Sequence, residues 1–208
     1  FNQLAMTLVQ ITMNNTLTFY GALSDYGQNI PLACVGVISK VNVVLMAFII
    51  GTAQGCQPIC GFNYGAKNYP RVKKTYLTAA AVVTAISTAA FLCFQIFPRQ
   101  IVAIFGEGSE AYFHFAERYF RIYMMLVFLN GIQPLTANFF TSIGKAKMGI
   151  LMSMTRQILF LLPLIVIFPR FFGIDGVMYA GPAADFLAAA VAAVMVLREL
   201  KRREYIKQ

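Results

Sequence analysis

Two charged side chains stand inside long apolar runs of this sequence, where a charge is costly unless it has a partner. Lys40 and Asp185 each lie about eight residues from the start of such a run, at 32–60 and at 177–197. Charges inside membrane-length apolar segments are rare and usually paired. The two runs are predicted to cross in the same direction, so both charges fall at one depth and we predict a Lys40–Asp185 ion pair. The alternative is that Lys40 reaches the outer interface and that Asp185 is protonated or bonded to another group.

Uncharged polar side chains in the same runs could line a path for a solute. The first run carries five of them at spacings of four, three, four and four, which places them on one helical face: Gln3, Thr7, Gln10, Asn14 and Thr18. A polar face on a membrane helix looks into the protein or into water. We predict that a substrate pathway is lined by Gln10, Asn14, Gln54, Asn130 and Gln133. The alternative for the first run is hydrogen bonding between helices, at roughly 0.6 kcal/mol per bond.

Residues for other kinds of chemistry are not arranged in recognisable sites. The four cysteines lie in apolar runs and the one histidine, His114, is distant from them in sequence, whereas a structural zinc site needs about four ligands. The sequence contains no Ser/His/Asp grouping, no zinc-protease motif and no phosphate-binding glycine loop. We therefore predict neither an enzyme nor a metal site, and no organic cofactor.

The composition determines which solvent surrounds these side chains. Of the 208 residues 59% are hydrophobic and only 12% are charged, with a mean hydropathy of +0.66. Soluble domains carry about 25% charged residues. Six apolar stretches approach the roughly 20 residues that cross a bilayer, and we predict spans at about 3–20, 32–60, 76–97, 115–141, 150–168 and 177–197. Since a closed barrel would need strict alternation, the prediction is an all-α polytopic membrane protein.

The net charge of +9 follows the order of the predicted loops. Basic residues fill the second loop (Lys67 to Lys74), the fourth (Lys145, Lys147) and the tail from Arg198, whereas the alternate loops are acidic or balanced. Such alternation is typical of the positive-inside rule. We therefore predict that both termini are cytoplasmic in a cell (inner or plasma) membrane, and that membrane lipid rather than nucleic acid is the partner of this charge.

One short pattern occurs twice, at Gly55–Lys67 and Gly131–Lys147. Each segment begins with Gly-x-Gln-Pro-aliphatic near the predicted cytoplasmic end of a span and leads into a basic turn. Proline removes a helix hydrogen bond, and a glutamine beside it could satisfy the freed carbonyl. A duplicated hairpin is one interpretation, and chance or shared loop geometry is the other.

Several of these segments resemble one known family. "YGALSDYG", "GTAQGCQPICGFNYGAKNYPRVKK", "SIGKAKMGILMSMTRQIL" and "GPAADF" are similar to the multidrug and toxic compound extrusion family, most of all to its bacterial branch of multidrug exporters. Complete members have twelve helices in two six-helix lobes. The resemblance covers nearly all of this chain but only the C-terminal lobe, so we expect the N-terminal lobe to be missing from the sequence.

The resemblance implies a function that the residues alone do not give. It implies a cation-coupled antiporter, driven by proton or sodium, that exports small amphipathic and mostly cationic molecules by alternating access. Members with a cation site in this lobe have acidic residues in the first and fourth spans. Here the first span has none and the fourth has only Glu117 at its outer entrance, so the coupling residue is expected in the missing half. The alternatives are a flippase for lipid-linked precursors in the same superfamily, or a membrane assembly subunit.

Overall fold

Helices account for every regular element in the computed structural model, which describes residues 2–105 and 108–201. Nine α-helices follow in order: α1 Asn2–Ala22, α2 Asn29–Gly65, α3 Tyr69–Ile96, α4 Pro98–Phe105, α5 Glu110–Tyr123, α6 Ile132–Ser142, α7 Ala146–Met154, α8 Leu162–Phe172 and α9 Ile174–Leu200. A 3-10 turn, Val127–Leu129, precedes α6, and a π-helical segment, Thr155–Leu161, joins α7 to α8. The predicted all-α class is confirmed. The tail from 202 to 208, Glu107 and the side chain of Gln3 lie outside the described residues.

Four helices of the described chain are long and apolar enough to cross a membrane. They are Asn29–Gly65, Tyr69–Ile96, Ala146–Phe172 and Ile174–Leu200. They cover four of the six predicted spans. The first predicted span forms α1, whose amide side chains lower its hydropathy, and the fourth differs from the prediction because 115–141 is not one helix.

The interruption of the fourth span has a local cause. Pro134 cannot donate a hydrogen bond to the carbonyl of Asn130 and disfavours helical geometry at the residue before it. At Gly131 an added Cβ would overlap the side chain of Val83, so α3 packs directly on the break. The chain leaves α5 at Tyr123 and enters α6 at Ile132, so that Pro134 falls in a first turn that needs no N–H.

The two Gln-Pro segments adopt different structures. Pro58 lies inside α2, which continues to Gly65, whereas Pro134 follows a helix break. The duplicated-hairpin interpretation is therefore not supported by the local geometry. What the segments share is the Gly-x-Gln-Pro pattern and a basic turn beyond it.

Close backbone contacts at glycines hold the C-terminal helices together. Gly173 has φ +60° and ends α8, and three residues later Gly176 leaves no room for a Cβ against the backbone of Phe168. At the other end Gly149 of α7 lies against Ala137 and Thr141 of α6. Because these glycines let backbones touch, α6 with α7 and α8 with α9 pack as antiparallel pairs.

Two hydrophobic clusters fill the interior, one toward each end of the bundle. The first is centred on Phe115, Tyr119 and Phe120 of α5 and includes α9 from Val177 to Ala184. The second includes Leu135, Phe139 and Phe140 of α6, Tyr76 of α3, and α9 from Ala192 to Leu200. Between Ala184 and Ala192 the two clusters are separate, and Asp185 stands at that level.

Ion pairs tie the helix ends on both sides of these clusters. Arg118 of α5 is 2.6 Å from Asp175 in the first turn of α9. Arg99 is 2.6 Å from Glu110 at the same end of the bundle. At the opposite end Lys145 pairs with the buried Glu199 of α9. The carboxylate of Glu199 was not singled out from the sequence, because it lies among the charges that end the last predicted span.

Candidate functional site: a polar cavity beside a buried ion pair

A cavity of about 610 Å³ opens between α1, α2, the α5–α6 break and the π-helical segment. A smaller cavity of about 180 Å³ adjoins it toward α5. Both are lined by a common group of side chains: Met6, Asn42, Val43, Arg156 and Gln157. We treat the two spaces as one polar cavity. Its polar lining is completed by amides and hydroxyls, namely Gln10, Ser39, Tyr119, Tyr123, Asn130, Gln133, Asn138 and Ser153.

The π-helical segment Thr155–Leu161 supplies two of these polar groups, Arg156 and Gln157. A π-turn within an α-helix is rare and changes the direction of the side chains that follow it. Thr155 donates a hydrogen bond to the carbonyl of Leu151 at 2.7 Å at the start of the segment. Arg156 is thereby placed between the cavity and α9, ten residues into the helix that begins at Ala146.

Arg156 forms an ion pair with Asp185 inside the bundle. The distance from Arg156 Nε to Asp185 Oδ1 is 2.5 Å, and the two side chains are 12% and 3% exposed. Arg156 also donates a hydrogen bond to the hydroxyl of Tyr123. The guanidinium carries five N–H donors, so further donors remain for the cavity.

The ring of Tyr123 reaches this pair because α9 has a glycine, without a side chain, at the point of contact. An added Cβ on Gly181, one turn before Asp185, would lie 2.5 Å from Tyr123 Cε2. The ring also stacks on Tyr119 at 5.2 Å between centroids. A glycine at 181 is therefore needed for the hydrogen bond between Tyr123 and Arg156.

The predicted Lys40–Asp185 pair is wrong, because Asp185 is bound to Arg156. Lys40 lies on an exposed face of α2, while its neighbours Ser39 and Asn42 face the cavity. The depth argument correctly indicated that Asp185 needs a buried partner. It failed because Arg156, which lies within the predicted span at 150–168, was not considered as the partner, although the helix that begins at Ala146 carries it well into the bundle.

Three of the five predicted pathway residues line the polar cavity. Asn130 and Gln133 are 5% and 6% exposed and border its main part, and Gln10 borders the smaller part. Gln133 donates a hydrogen bond to the carbonyl of Met152, which links the first turn of α6 to α7. Gln54 is exposed and is not among the lining residues, and Asn14 is half-buried beside Gln10.

The polar face of α1 is not the face that packs into this lobe. The buried residues of α1 repeat every fourth position and are apolar: Ala5, Val9, Met13 and Leu17. On the adjoining face Gln10 Nε2 donates to Asn14 Oδ1 at 3.2 Å, and Thr18 donates to the carbonyl of Asn14 at 2.9 Å. The amides Gln10 and Asn14 are therefore bonded to each other along α1, on the face beside the packed one, where Gln10 borders the smaller part of the cavity.

Sequence reasoning missed Asn42, Asn138, Gln157, Tyr123 and Arg156. The first three are single amides inside apolar segments, so the criterion that selected Asn130 and Gln133 would also have selected them. Arg156 and Tyr123 carried no such signal, since arginines near helix ends and tyrosines in membranes are common. Their role comes from the π-helical segment and from Gly181, which only the fold reveals.

The electrostatics of the polar cavity are set by one cation. Among the described residues that line it, Arg156 is the charged side chain, and the others are amides, hydroxyls or apolar groups. The side-chain oxygen of Asn42 is buried without a hydrogen-bond donor. Such an acceptor could bind a donor group of a ligand, because buried polar atoms are normally satisfied. With Asp185 ionised, the cavity has a neutral ion pair on one wall.

The acidic residues of other segments do not add to this cavity. Glu117, in the middle of α5, is 3.6 Å from Arg99 and does not line the polar cavity. Within residues 2–105 and 108–201, no group of three or more His, Cys, Asp or Glu side chains could hold a metal ion.

Removing one member of the Arg156–Asp185 pair should destabilise the protein far more than removing both. Breaking a buried pair leaves an unpaired charge and typically costs about 3–5 kcal/mol. We expect Arg156→Met and Asp185→Leu each to lower the thermal unfolding midpoint of the purified complete protein strongly, and the double variant to recover most of the loss. The half-exposed Arg118–Asp175 pair is the control, since pairs near the surface contribute about 0–1 kcal/mol. Single variants as stable as the parent would contradict the pairing.

Curated proteins of known family are similar to this chain in sequence. The chain is 26% identical over 198 residues to Protein DETOXIFICATION 56 of Arabidopsis thaliana, which covers 93% of this chain and 38% of that protein. It is 22% identical over 174 residues to the multidrug export protein MepA of Staphylococcus aureus, covering 84% of this chain and 38% of MepA. The chain thus spans less than half the length of these relatives.

Solved structures share the fold at low sequence identity. An outward-facing and an inward-facing conformation of a multidrug resistance MATE family transporter of the MOP superfamily each match with a TM-score of 0.85 at 19% identity. They cover 97% of this chain and 45% and 46% of those chains. A MOP superfamily transporter from Pyrococcus furiosus, described as having a binding pocket of reverse polarity, matches with a TM-score of 0.85 at 18% identity. That match covers 96% of this chain and 44% of that one.

The family model MatE matches residues 3–167, well over half of the chain. The helical architecture and the relatives agree with that match. This chain therefore belongs to the multidrug and toxic compound extrusion (MATE) family of membrane transporters.

Proposed function

We propose that the complete protein is a proton- or sodium-coupled antiporter that exports small amphipathic, mostly cationic molecules by alternating access. The observation that carries the proposal is the polar cavity with the Arg156–Asp185 pair in its wall. Its volume of about 610 Å³ suits a small organic molecule, since ligand pockets measure about 300–1,000 Å³. The second lobe of the family, outside this chain, is the partner that would close the cavity.

A proton on Asp185 would change the charge of the cavity. With Asp185 ionised, the charge of Arg156 is balanced and a cationic substrate meets a neutral wall. Protonating Asp185 leaves Arg156 unbalanced, and two cations about 6 Å apart repel by about 3 kcal/mol at an effective dielectric constant near 20. That energy corresponds to roughly a hundredfold loss of affinity. The proton and the cationic substrate would therefore exclude one another, as antiport requires.

Under this proposal the coupling group is Asp185 of this chain and not a residue of the N-terminal lobe. The family resemblance suggested that the coupling acid lies in the missing half, because the first and fourth spans here carry no deep carboxylate. Asp185 in α9 is a different position, and its side chain is 3% exposed beside the polar cavity. The proposal therefore requires that α9 carries the coupling acid, which other members carry in the helices equivalent to α1 and α5–α6.

A second candidate is a flippase for lipid-linked precursors of the same superfamily. One observation favours the flippase. Among the described residues that line the cavity the charged side chain is a cation, Arg156, which could bind a diphosphate. Asp185 opposes this function, since it balances the guanidinium at 2.5 Å. Cationic substrates are therefore favoured as long as Asp185 is ionised.

Efflux of ethidium from cells that carry the complete gene tests the antiporter. We expect efflux that a proton uncoupler abolishes, and a loss of at least tenfold in Asp185→Asn. The control is Asp175→Asn, an acid on the same helix that is 2.6 Å from Arg118 near the helix start, which should retain efflux. Protein levels of each variant in the membrane are measured alongside. Full uncoupler-sensitive efflux in Asp185→Asn would exclude Asp185 as the coupling group, and export of a lipid diphosphate but not ethidium would favour the flippase.

The orientation follows from the basic loops, and cysteine labelling tests it. We propose that the α2–α3 turn, the α6–α7 turn and both termini face the cytoplasm. In a background in which Cys34, Cys56, Cys60 and Cys93 are replaced, an impermeant thiol reagent added to intact cells should label Asp25→Cys but not Lys73→Cys. Both positions are exposed, so access rather than burial decides the result. Labelling of Lys73→Cys in intact cells would reverse the orientation.

A further inference from the structure

A second groove, separate from the polar cavity, lies on the outside of the lobe between α2 and the first half of α3. It measures about 800 Å³. Its end at the α2–α3 turn is bordered by Arg71 and Lys74, and its walls farther along are formed by Ile59, Ala79 and Val82. The groove therefore has a cationic end and an apolar length.

The cationic end carries unbalanced charge. Arg71 and Lys74 are exposed, and among the described residues neither forms an ion pair with a carboxylate. The described lining includes no acidic side chain. Both residues lie in the first two turns of α3, which begins at Tyr69, so the positive end of the helix dipole adds to their charge.

The length of the groove fits one leaflet of a membrane. Val82 follows Arg71 by eleven residues on the same helix, which is roughly 16 Å at 1.5 Å per residue. Half of a hydrocarbon core is about 15 Å. A molecule with an anionic group at Arg71 and an apolar chain along Ala79 and Val82 would thus have the dimensions of a phospholipid in the leaflet that faces the α2–α3 turn.

We propose that this groove binds an acidic glycerophospholipid, with its phosphate between Arg71 and Lys74 and one acyl chain against Ile59 and Val82. Each Lys or Arg near a membrane surface attracts an anionic headgroup, and two of them give a preference over a zwitterionic lipid of about tenfold or more. The apolar walls distinguish a lipid from a free phosphate, because a soluble anion would leave them uncovered. The site depends on the proposed orientation but not on transport, since it lies outside the polar cavity.

The experiment is native mass spectrometry of the complete protein, released from micelles with equal amounts of phosphatidylglycerol and phosphatidylcholine of the same chains. The parent should retain phosphatidylglycerol about tenfold over phosphatidylcholine. The double variant Arg71→Gln/Lys74→Gln should lose that preference. The matched control Lys67→Gln/Lys73→Gln removes the same charge from neighbouring positions that do not line the groove, and should keep it.

A third variant separates a lipid from a phosphate ion. Val82→Trp fills the apolar part of the groove and leaves both cations in place, so it should also lower retention of phosphatidylglycerol. Equal losses in the groove variant and in the control would show diffuse surface attraction and overturn the site. Unchanged retention in Val82→Trp, or displacement of the lipid by millimolar inorganic phosphate, would show an anion site without an acyl-chain groove and would also overturn the proposal.

Discussion

The Arg156–Asp185 ion pair is the interaction on which the rest of this lobe depends. It lies at the level where the two hydrophobic clusters separate, with Ala184 in one and Ala192 in the other. A charge at that depth is tolerated only when its partner is fixed. Arg156 belongs to the π-helical segment between α7 and α8, and Asp185 to α9, so the pair ties together the two halves of the last helical hairpin. Tyr123 extends the same contact to α5.

Backbone irregularities supply the space that this arrangement needs. The π-helical segment presents Arg156 to α9, Gly181 lets the ring of Tyr123 lie on α9, and the α5–α6 break frees Asn130 to face the cavity. The π-helical segment and the α5–α6 break depart from regular α-helix, whereas Gly181 lies within the regular helix α9. The π-helical segment and the α5–α6 break border the polar cavity directly, and Gly181 acts on it through Tyr123, which lines its smaller part.

Much of the fold could be predicted from the sequence, because membrane helices are determined by apolar length. Four predicted spans correspond to long apolar helices, and the amides Asn130 and Gln133, which were predicted to line a substrate pathway, border a cavity. The break at 124–131 was not predicted, because Pro134 and Gly131 are compatible both with a kink in one helix and with the start of a second helix. The partner of Asp185 escaped as well, because spacing gives depth along a helix but not which helices are neighbours. The tight turn at Gly173, which makes α8 and α9 adjacent, settles that choice in favour of Arg156.

The most direct test of this account asks which side chain lies beside Asp185. Two double variants of the complete protein, Arg156→Cys/Asp185→Cys and Lys40→Cys/Asp185→Cys, are made in a background without the native cysteines and treated in membranes with a short thiol-specific linker. Because Lys40→Cys/Asp185→Cys leaves Arg156 without its partner, the amount of each double variant in the membrane is measured alongside. Cross-linking between positions 156 and 185, with none between 40 and 185, is the predicted result. Cross-linking between 40 and 185 but not between 156 and 185 would contradict the pair, the charge of the cavity wall and the coupling step built on them.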